Sequence, residues 1–428
     1  MADTVRNRNR KCKKAIDVGS IVLVNQLLTV LRVRRRALFR VVGLFCVAVA
    51  ASSLVGCSLP QVQAENRLFL DLSVDYLDDS QLSAIEFEGT PVGGLSALTY
   101  DRQQGVFYAL SDDRGMLAPA RFYTLTLTLD SSDPNSPEIA DVSVTDVTEL
   151  TDASGEPFAP GAIDPEGLAL SPDGTLFVSS EGVASEGIAP FVAEFDRSGQ
   201  LIRQLPLPEY FIPDGVGEAQ ELGVRDNLGF EALTVGGLGS GEPYRVFAAT
   251  ESALQQDFDP DTDSIETINC RLLHYVVIAE RSQIVAEHLY RLDPPPSSLT
   301  ISHGLVELLS LDGASALNLN GSGYFLTLER SFGVSGFGAK LFQANIGSAT
   351  DVSTLTYLQG DLDGIDPLAK RLLLDLNELD FDLDNLEGMT FGPRLPDGSQ
   401  SLLFVSDNNF RDEQKTEVLL FRLRKTPS

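Results

Sequence analysis

The stretch DPEGLALSPDGTLFVSSEG, residues 164–182, reads as two short apolar strands joined by a tight turn and closed by an acid. Within it, Pro172 presets φ and Gly174 accepts a positive φ, the chemistry of a hairpin. Four other segments repeat the pattern. They are GGLSALTYDRQQGVFYALSDDR from Gly93 to Arg114, NLGFEALTV from Asn227 resuming as YRVFAATES at Tyr244, LDGASALNLNGSGYFLTLERS from Leu311, and LEGMTFGPRLPDGSQSLLFVSDNN from Leu386. Further alternating stretches lie between the copies, such as Arg121–Leu129 with Ile139–Val147 and Phe191–Asp196 with Leu201–Leu207. Helical periodicity is scarce, although Pro367–Leu379 is ambiguous. Repeated four-stranded units predict an all-β propeller. Five blades are counted, and six stay open if 257–269 and 345–378 hide strands. The last copy supplies three strands, the third being Glu417–Leu423, so Arg67–Tyr76 is expected to add the fourth and close the ring.

In such a ring, strand one lines the central channel and strand two runs back beside it, so the start of one meets the end of the other at one rim. Aligned on one another, the copies open with Gly94, Glu166, Glu231, Gly313 and Glu387, and close with Asp112, Glu181, Glu251, Glu329 and Asp407. Clustered carboxylates repel unless a cation, a shared proton or a basic partner relieves them. Oxygen-only ligands favour Ca²⁺ or Mg²⁺. The candidate metal ligands are therefore Asp112, Glu166, Glu181, Glu231, Glu251, Glu329, Glu387 and Asp407, with calcium the expected ion. Arg114 and Arg330 follow the closing acid in the two copies that open with Gly. They are expected to serve as basic partners or to hold an anionic substrate group bidentately. The alternative is that each acid caps hairpin backbone or pairs locally, with nothing bound.

The chain has 428 residues and a formal charge of −29. Residues 1–56 hold 11 Lys+Arg and two acids, so the remainder, with 21 basic and 59 acidic residues, carries −38. A body that acidic repels a phosphate backbone, which argues against nucleic-acid binding. Five arginines between Arg32 and Arg40 precede an apolar run from Val41 to Val55, the length of a signal h-region and short for a membrane span. The run ends in Leu54-Val55-Gly56-Cys57, which resembles a bacterial lipobox with Cys57 as the lipid-bearing residue. The expected organisation is a signal peptide with a long n-region over 1–56, a short tether over 57–66, and one propeller over 67–428. Ser58 after the cysteine points to lipid anchoring at the outer membrane, facing the periplasm.

Several chemistries are excluded. Beyond the signal, Cys270 is the only thiol besides Cys57, so no disulfide is expected, and the three histidines show no paired spacing for zinc. No GxSxG elbow occurs, and Val235–Gly241 is not followed by GK[ST]. The alternating acids Asp257, Asp259, Asp261 and Asp263, and likewise Asp361, Asp363 and Asp366, lack the glycine and bidentate Glu of an EF-hand and read as solvated loops.

Taken together, GGLSAL…ALSDDR, DPEGLALSPDGTLFVSSEG, NLGFEALT and LEGMTF…LLFVSDNN are similar to the bacterial family named for the esterase-like activity of phytase. The resemblance runs from about Leu70 to Arg424. It implies a secreted or periplasmic propeller that hydrolyses a phosphomonoester or another ester. Two functions are carried forward. In the first, a divalent ion held by the rim assists hydrolysis of a small anionic or ester substrate, with Glu166, Glu231, Glu387, Arg114 and Arg330 as the catalytic candidates. In the second, a calcium-stabilised propeller without catalysis serves as a binding module at the cell envelope, touching the membrane through its lipid only.

Overall fold

The computed structural model describes residues 68–83, 85–237, 239–258, 268–317, 323–360 and 362–426. The signal segment with Cys57, and Asp259, Asp261, Asp263 and Asp361, lie outside the described residues. Five four-stranded antiparallel sheets form five blades. Blade 1 comprises Leu95–Asp101, Val106–Ser111, Arg121–Asp130 and Glu138–Glu149; blade 2 comprises Pro165–Leu170, Leu176–Ser180, Phe191–Phe195 and Leu201–Gln204. Blade 3 comprises Phe230–Gly236, Tyr244–Thr250, Asn269–Ile278 and Arg281–Arg291; blade 4 comprises Thr300–Ser310, Tyr324–Gly333, Gly336–Asn345 and Ala369–Asp375. Blade 5 takes Asn385–Arg394, Gln400–Asp407 and Glu417–Lys425 from the C-terminal end and Leu72–Gln81 from the N-terminal side.

Burial explains the strand order. Strand two of blade 5 is buried at every position, whereas the outermost strand of blade 1 is half-buried or exposed throughout. Near-continuous apolar runs go to the inside of each blade and mixed runs to its edge. The turn in the 164–182 stretch forms as its chemistry requires: Gly174 has φ +86°, and Ser171 N–H donates to Thr175 O at 2.9 Å.

Adjacent blades pack face to face, and each interface has its own apolar core. Leu168, Val178 and Phe195 pack with Leu110 and Phe122 between blades 1 and 2. Phe177 and Val192 meet Phe230 and Val246 between blades 2 and 3. Ala249 and Leu272 meet Leu305 and Phe325 between blades 3 and 4. Leu326 and Leu341 meet Met389 and Phe404 between blades 4 and 5, and Leu403 and Val405 meet Leu98 and Phe107 between blades 5 and 1. The fifth core closes the circle, so the count is five. No strand of a sixth blade occurs in the described part of 345–378. That stretch crosses instead to the outer edge of blade 3, where Val352 N–H donates to Glu287 O and Leu368 N–H to Leu289 O.

Ring closure occurs as expected, but further along the chain. The closing strand is Leu72–Gln81 rather than Arg67–Tyr76; Tyr76 pairs with Phe421, and their rings meet edge-on at 5.5 Å. Its apolar partners fix this register, because a slip of one residue would turn Val74 and Tyr76 to solvent.

Blade 4 corrects the repeat alignment. Its first strand is Thr300–Ser310, and Leu311–Gly313 and Ser315–Leu317 are 3₁₀ turns on the way to strand two. Ser310 caps the first of these turns by accepting from Asp312 N–H at 3.3 Å. Gly313 therefore does not open a strand. The segment resembles the other copies in composition, but it lies at the far end of the channel.

Candidate functional site

In every blade, strand one carries a bulge where it pairs with the second half of strand two. A bulge adds one residue and re-aims its side chain. The residues set out of register are Ser96, Glu166, Glu231, Val306 and Glu387 in blades 1 to 5. At the same level on the strand-two side stand Asp112, Glu181 and Glu251, each just past the strand, Arg330 within it and Asp407 at its last position. Two residues before each bulge stand Gly94, Asp164, Gly229, Gly304 and Asn385. Three rings of five positions thus surround one mouth of the channel, and the inner strands of neighbouring blades pack against each other all the way round.

The arrangement is tight. A Cβ on Gly304 would lie 2.2 Å from Oε1 of Glu251, and one on Gly94 would lie 2.0 Å from Oδ1 of Asp112. Glycine at these positions leaves room for a carboxylate. Glu181 uses the same opening beside Gly229, whose N–H donates to its Oε1 at 2.6 Å.

Two carboxylate groupings result. Asp164, Glu166 and Glu181 each offer an oxygen within 4.8 Å of the others, and so do Glu181, Glu231 and Glu251. Glu181 is common to both. Burial, and then the neighbouring carboxylates, raise Glu166, Glu181 and Glu231 well above the usual carboxylate range. Asp112 is raised for the same reasons, with Asp407 on one side and Asp164 on the other. Burial also raises Asp407, to about 6, against donation from Asn409 N–H and Asn385.

Two arginines relieve part of this charge. Arg114 lies 2.5 Å from Asp164 Oδ2 and donates to Asn227 at 2.8 Å. Arg330 spans three blades: its guanidinium reaches Glu251 at 3.0 Å, Glu387 at 2.9 Å and Asn385 Oδ1 at 2.7 Å. Its Nε is buried and has no hydrogen-bond partner among the described residues.

Seven of the eight carboxylates expected at the rim meet there: Asp112, Glu166, Glu181, Glu231, Glu251, Glu387 and Asp407. Glu329 does not. It precedes the closing position of blade 4, which Arg330 occupies, and neighbouring residues of a strand face opposite ways. Its carboxylate accepts from Lys370, from Tyr290 Oη at 2.8 Å and from Asp293 N–H at 3.0 Å. Sequence reading missed Asp164 and Asn385. The signal was available, since each stands two residues before a bulge glutamate, on the same side of the strand.

The other acidic stretches divide. Asp257 is not solvated: it is buried against Arg271, with contacts of 2.5 and 2.9 Å that anchor the crossing loop. Asp366 is exposed at the surface end of that loop, where Thr350 Oγ1 accepts from its N–H. At the opposite mouth a cavity of about 380 Å³ opens over the far ends of strand one. Two of its threonines are engaged in holding the ring: Thr99 Oγ1 accepts from Leu170 N–H and Thr234 Oγ1 from Ser310 N–H. Charged lining residues are likewise engaged: Arg197 lies 2.8 Å from Asp101, and Glu307 accepts from Leu308 N–H at 2.8 Å and Met389 N–H at 3.3 Å.

The donor set at the acidic mouth fits a hard divalent cation. It is all oxygen, contains no histidine or thiol, and consists of buried and half-buried carboxyl groups, of which Glu166, Glu181 and Glu231 are held above their usual range by burial and by their neighbours. Among the described residues no helix is long and apolar enough to cross a membrane.

A family model described as "Phytase-like: Esterase-like activity of phytase" matches residues 90–410. The chain is also 24% identical over 177 residues to an "uncharacterized secreted protein" of Arthroderma benhamiae, a match covering 35% of this chain and 32% of that one. The chain therefore spans about a third of that relative's length. Among solved structures it is similar to the Bombyx mori GH32 β-fructofuranosidase BmSUC1, at 10% identity and TM-score 0.35, over 84% of this chain and 63% of the other. It is similar as well to the N-terminal domain of Nup159, at 10% identity and TM-score 0.29, over 83% and 96%. The propeller assignment rests on the strand pairing itself.

Proposed function

The chain belongs to the family described as esterase-like activity of phytase, and from that premise we propose a metal-assisted ester hydrolase working at the acidic mouth. The observation that carries the reading is the pair of carboxylate groupings sharing Glu181, set among more acids than the two arginines can neutralise. Asp164, Glu166, Glu181, Glu231 and Glu251 would hold the ion, with calcium the first choice for an oxygen-only set. When bound, such an ion supplies positive charge for an ester oxygen and makes water a better nucleophile.

The remaining roles belong to side chains. The guanidinium of Arg330, fixed between Glu251 and Glu387 and still partly accessible, would donate to one anionic oxygen of the substrate. Arg114, half-buried on blade 1 and anchored on Asp164 of blade 2, bears on the same opening. Glu231 and Glu166 line the channel half-buried and are the candidates to take or give the proton. Glu387 positions Arg330. The substrate is a phosphomonoester or another small ester.

A second reading has a specific observation in its favour. Both arginines already meet carboxylates, as they would in a mouth built for stability alone. On that reading the ion is structural and the propeller presents its face to a ligand at the cell envelope. Lipid attachment at Cys57 and a periplasmic location belong to the same proposal, supported by the run Leu54-Val55-Gly56-Cys57 and by the secreted relative. Ester hydrolysis by the full-length protein, with calcium and then with chelator, separates the two readings: turnover that needs the ion supports the hydrolase, and binding without turnover supports the module.

A further inference from the structure

A groove of about 390 Å³ runs between blades 4 and 5 on the face that carries the acidic mouth. One wall is the hairpin that joins strands two and three of blade 4. There Phe332 and Phe337 are cross-strand partners, with ring centroids 4.7 Å apart. The other wall is the connection from blade 4 to blade 5, which contributes Asn377, Phe381 and Leu383. Phe381 is braced from behind by Tyr76 of the closing strand, at 5.1 Å. Pro296 closes one end.

Both walls run directly into the mouth. Ser331, a lining residue, follows Arg330, and Leu383 stands two residues before Asn385, which accepts from Arg330 at 2.7 Å. An ester group held by Arg330 therefore has this groove beside it for the rest of the molecule. The lining chemistry defines that remainder. It is aromatic, glycine-rich and polar through Asn377 and hydroxyls, it includes Asp382, and it contains no lysine or arginine. Ring faces and small residues suit a flat, apolar-faced group. The acid, without a neighbouring cation in the lining, disfavours a second phosphate.

We propose that this groove binds the uncharged, ring-bearing alcohol portion of a substrate with a single ester group at the mouth. The proposal rests on the hydrolase reading and narrows it: the preferred ester is an aryl or comparable ring ester, and a ring carrying several phosphates is a poor ligand. Phe332, Phe337 and Phe381 are then specificity-determining residues. None of them takes part in the proton or charge chemistry.

The test uses the full-length protein in calcium, as wild type, Phe337→Ala and Phe332→Ser. Phe332 is exposed and Phe337 lies at the hairpin end, so both variants are expected to keep the fold, which a thermal melt verifies. Turnover of phenyl phosphate and methyl phosphate is compared, alongside calorimetric binding of phenylphosphonate. The expected result is that each variant raises KM for phenyl phosphate about tenfold, the equivalent of one lost aromatic contact, with kcat and the methyl phosphate constants unchanged. Equal constants for wild type and variants on phenyl phosphate would overturn the proposal. So would a wild type that prefers inositol hexakisphosphate. If no ester is turned over, the hydrolase reading fails, and calorimetry alone decides the groove. Phenylphosphonate binding that Phe337→Ala removes supports it, and absence of binding overturns it.

Discussion

Arg330 occupies the position where the other four blades place a carboxylate, and its guanidinium lies 3.0 Å from Oε1 of Glu251 on the preceding blade. It reaches Glu387 on the following blade at 2.9 Å. One cation thus joins three blades at the mouth. The ring of acids is interrupted once, and that interruption lets the others stand so close.

Removing that cation should be costly. Arg330→Met leaves Glu251 and Glu387 buried without their partner, and breaking such a pair costs about 3–5 kcal/mol. Urea unfolding in chelator should show that loss, and saturating calcium should recover part of it. A variant as stable as wild type in chelator would contradict the role assigned to Arg330.

Glu329 supplies the contrasting case. It bonds Tyr290 and Lys370 away from the mouth, so Glu329→Gln should leave calcium affinity unchanged. It should cost about 1–3 kcal/mol of stability through the disturbed buried contacts. Glu181→Gln should do the reverse, weakening calcium binding strongly, because Glu181 belongs to both groupings while Gln preserves the acceptor for Gly229 N–H. Isothermal titration of the two variants distinguishes these outcomes, and equal calcium losses would contradict the geometry.

The pH dependence has a definite sign. Glu166, Glu181, Glu231 and Glu387 are all raised well above the usual range, mainly by burial. The folded protein then holds more protons than the unfolded chain, so stability is fullest below the ordinary carboxylate values and falls as pH rises through the raised ones. His274, lowered to about 4, and His288, also lowered, work in the opposite sense below their ordinary value. The comparison therefore belongs between about pH 7.5 and about pH 8.5, where an ordinary histidine is roughly nine-tenths neutral or more in either state. In chelator, Tm should fall across that interval, and calcium should reduce the slope. A Tm that rises with pH in chelator would count against mutual repulsion at the mouth.

Gly304→Ala tests the crowding. The new methyl would meet the Glu251 carboxylate at 2.2 Å, so either Glu251 moves off Arg330 or the strand shifts. A loss of about 1–3 kcal/mol is expected, typical of overpacking, together with weaker calcium binding. Unchanged binding would mean that Glu251 is not a ligand.

Much of this was legible before the structure. Turn chemistry at Pro172–Gly174 and Pro396–Gly398, and the acid ending each copy, were enough for five blades, for ring closure by the N-terminal segment and for seven of the rim carboxylates. What escaped were matters of register. In blades 1 to 3 the closing residue lies four after an aromatic, Tyr108, Phe177 or Phe247. In blades 4 and 5 the same spacing starts from Leu326 and Leu403, because the apolar interior accepts either kind of residue. Following the aromatic in blade 4 lands on Glu329, one residue short, and on a strand one residue is the opposite face. Leu311–Leu317 imitates a channel strand in composition, while Thr300–Ser310, the real one, has Val306 at the bulge where blades 2, 3 and 5 carry a glutamate. Bulges leave no mark in composition, and so Asp164 and Asn385 went unnoticed beside the glutamates they flank.

The central claim is that the acidic mouth binds a divalent ion and uses it to hydrolyse an ester. The most direct test is ester turnover by the full-length protein and by Glu181→Gln, each in calcium and in chelator. Calcium-dependent turnover in wild type that falls at least about 100-fold in the variant, with the fold retained, is the result this structure predicts. Turnover that ignores chelator, or survives Glu181→Gln undiminished, would contradict it.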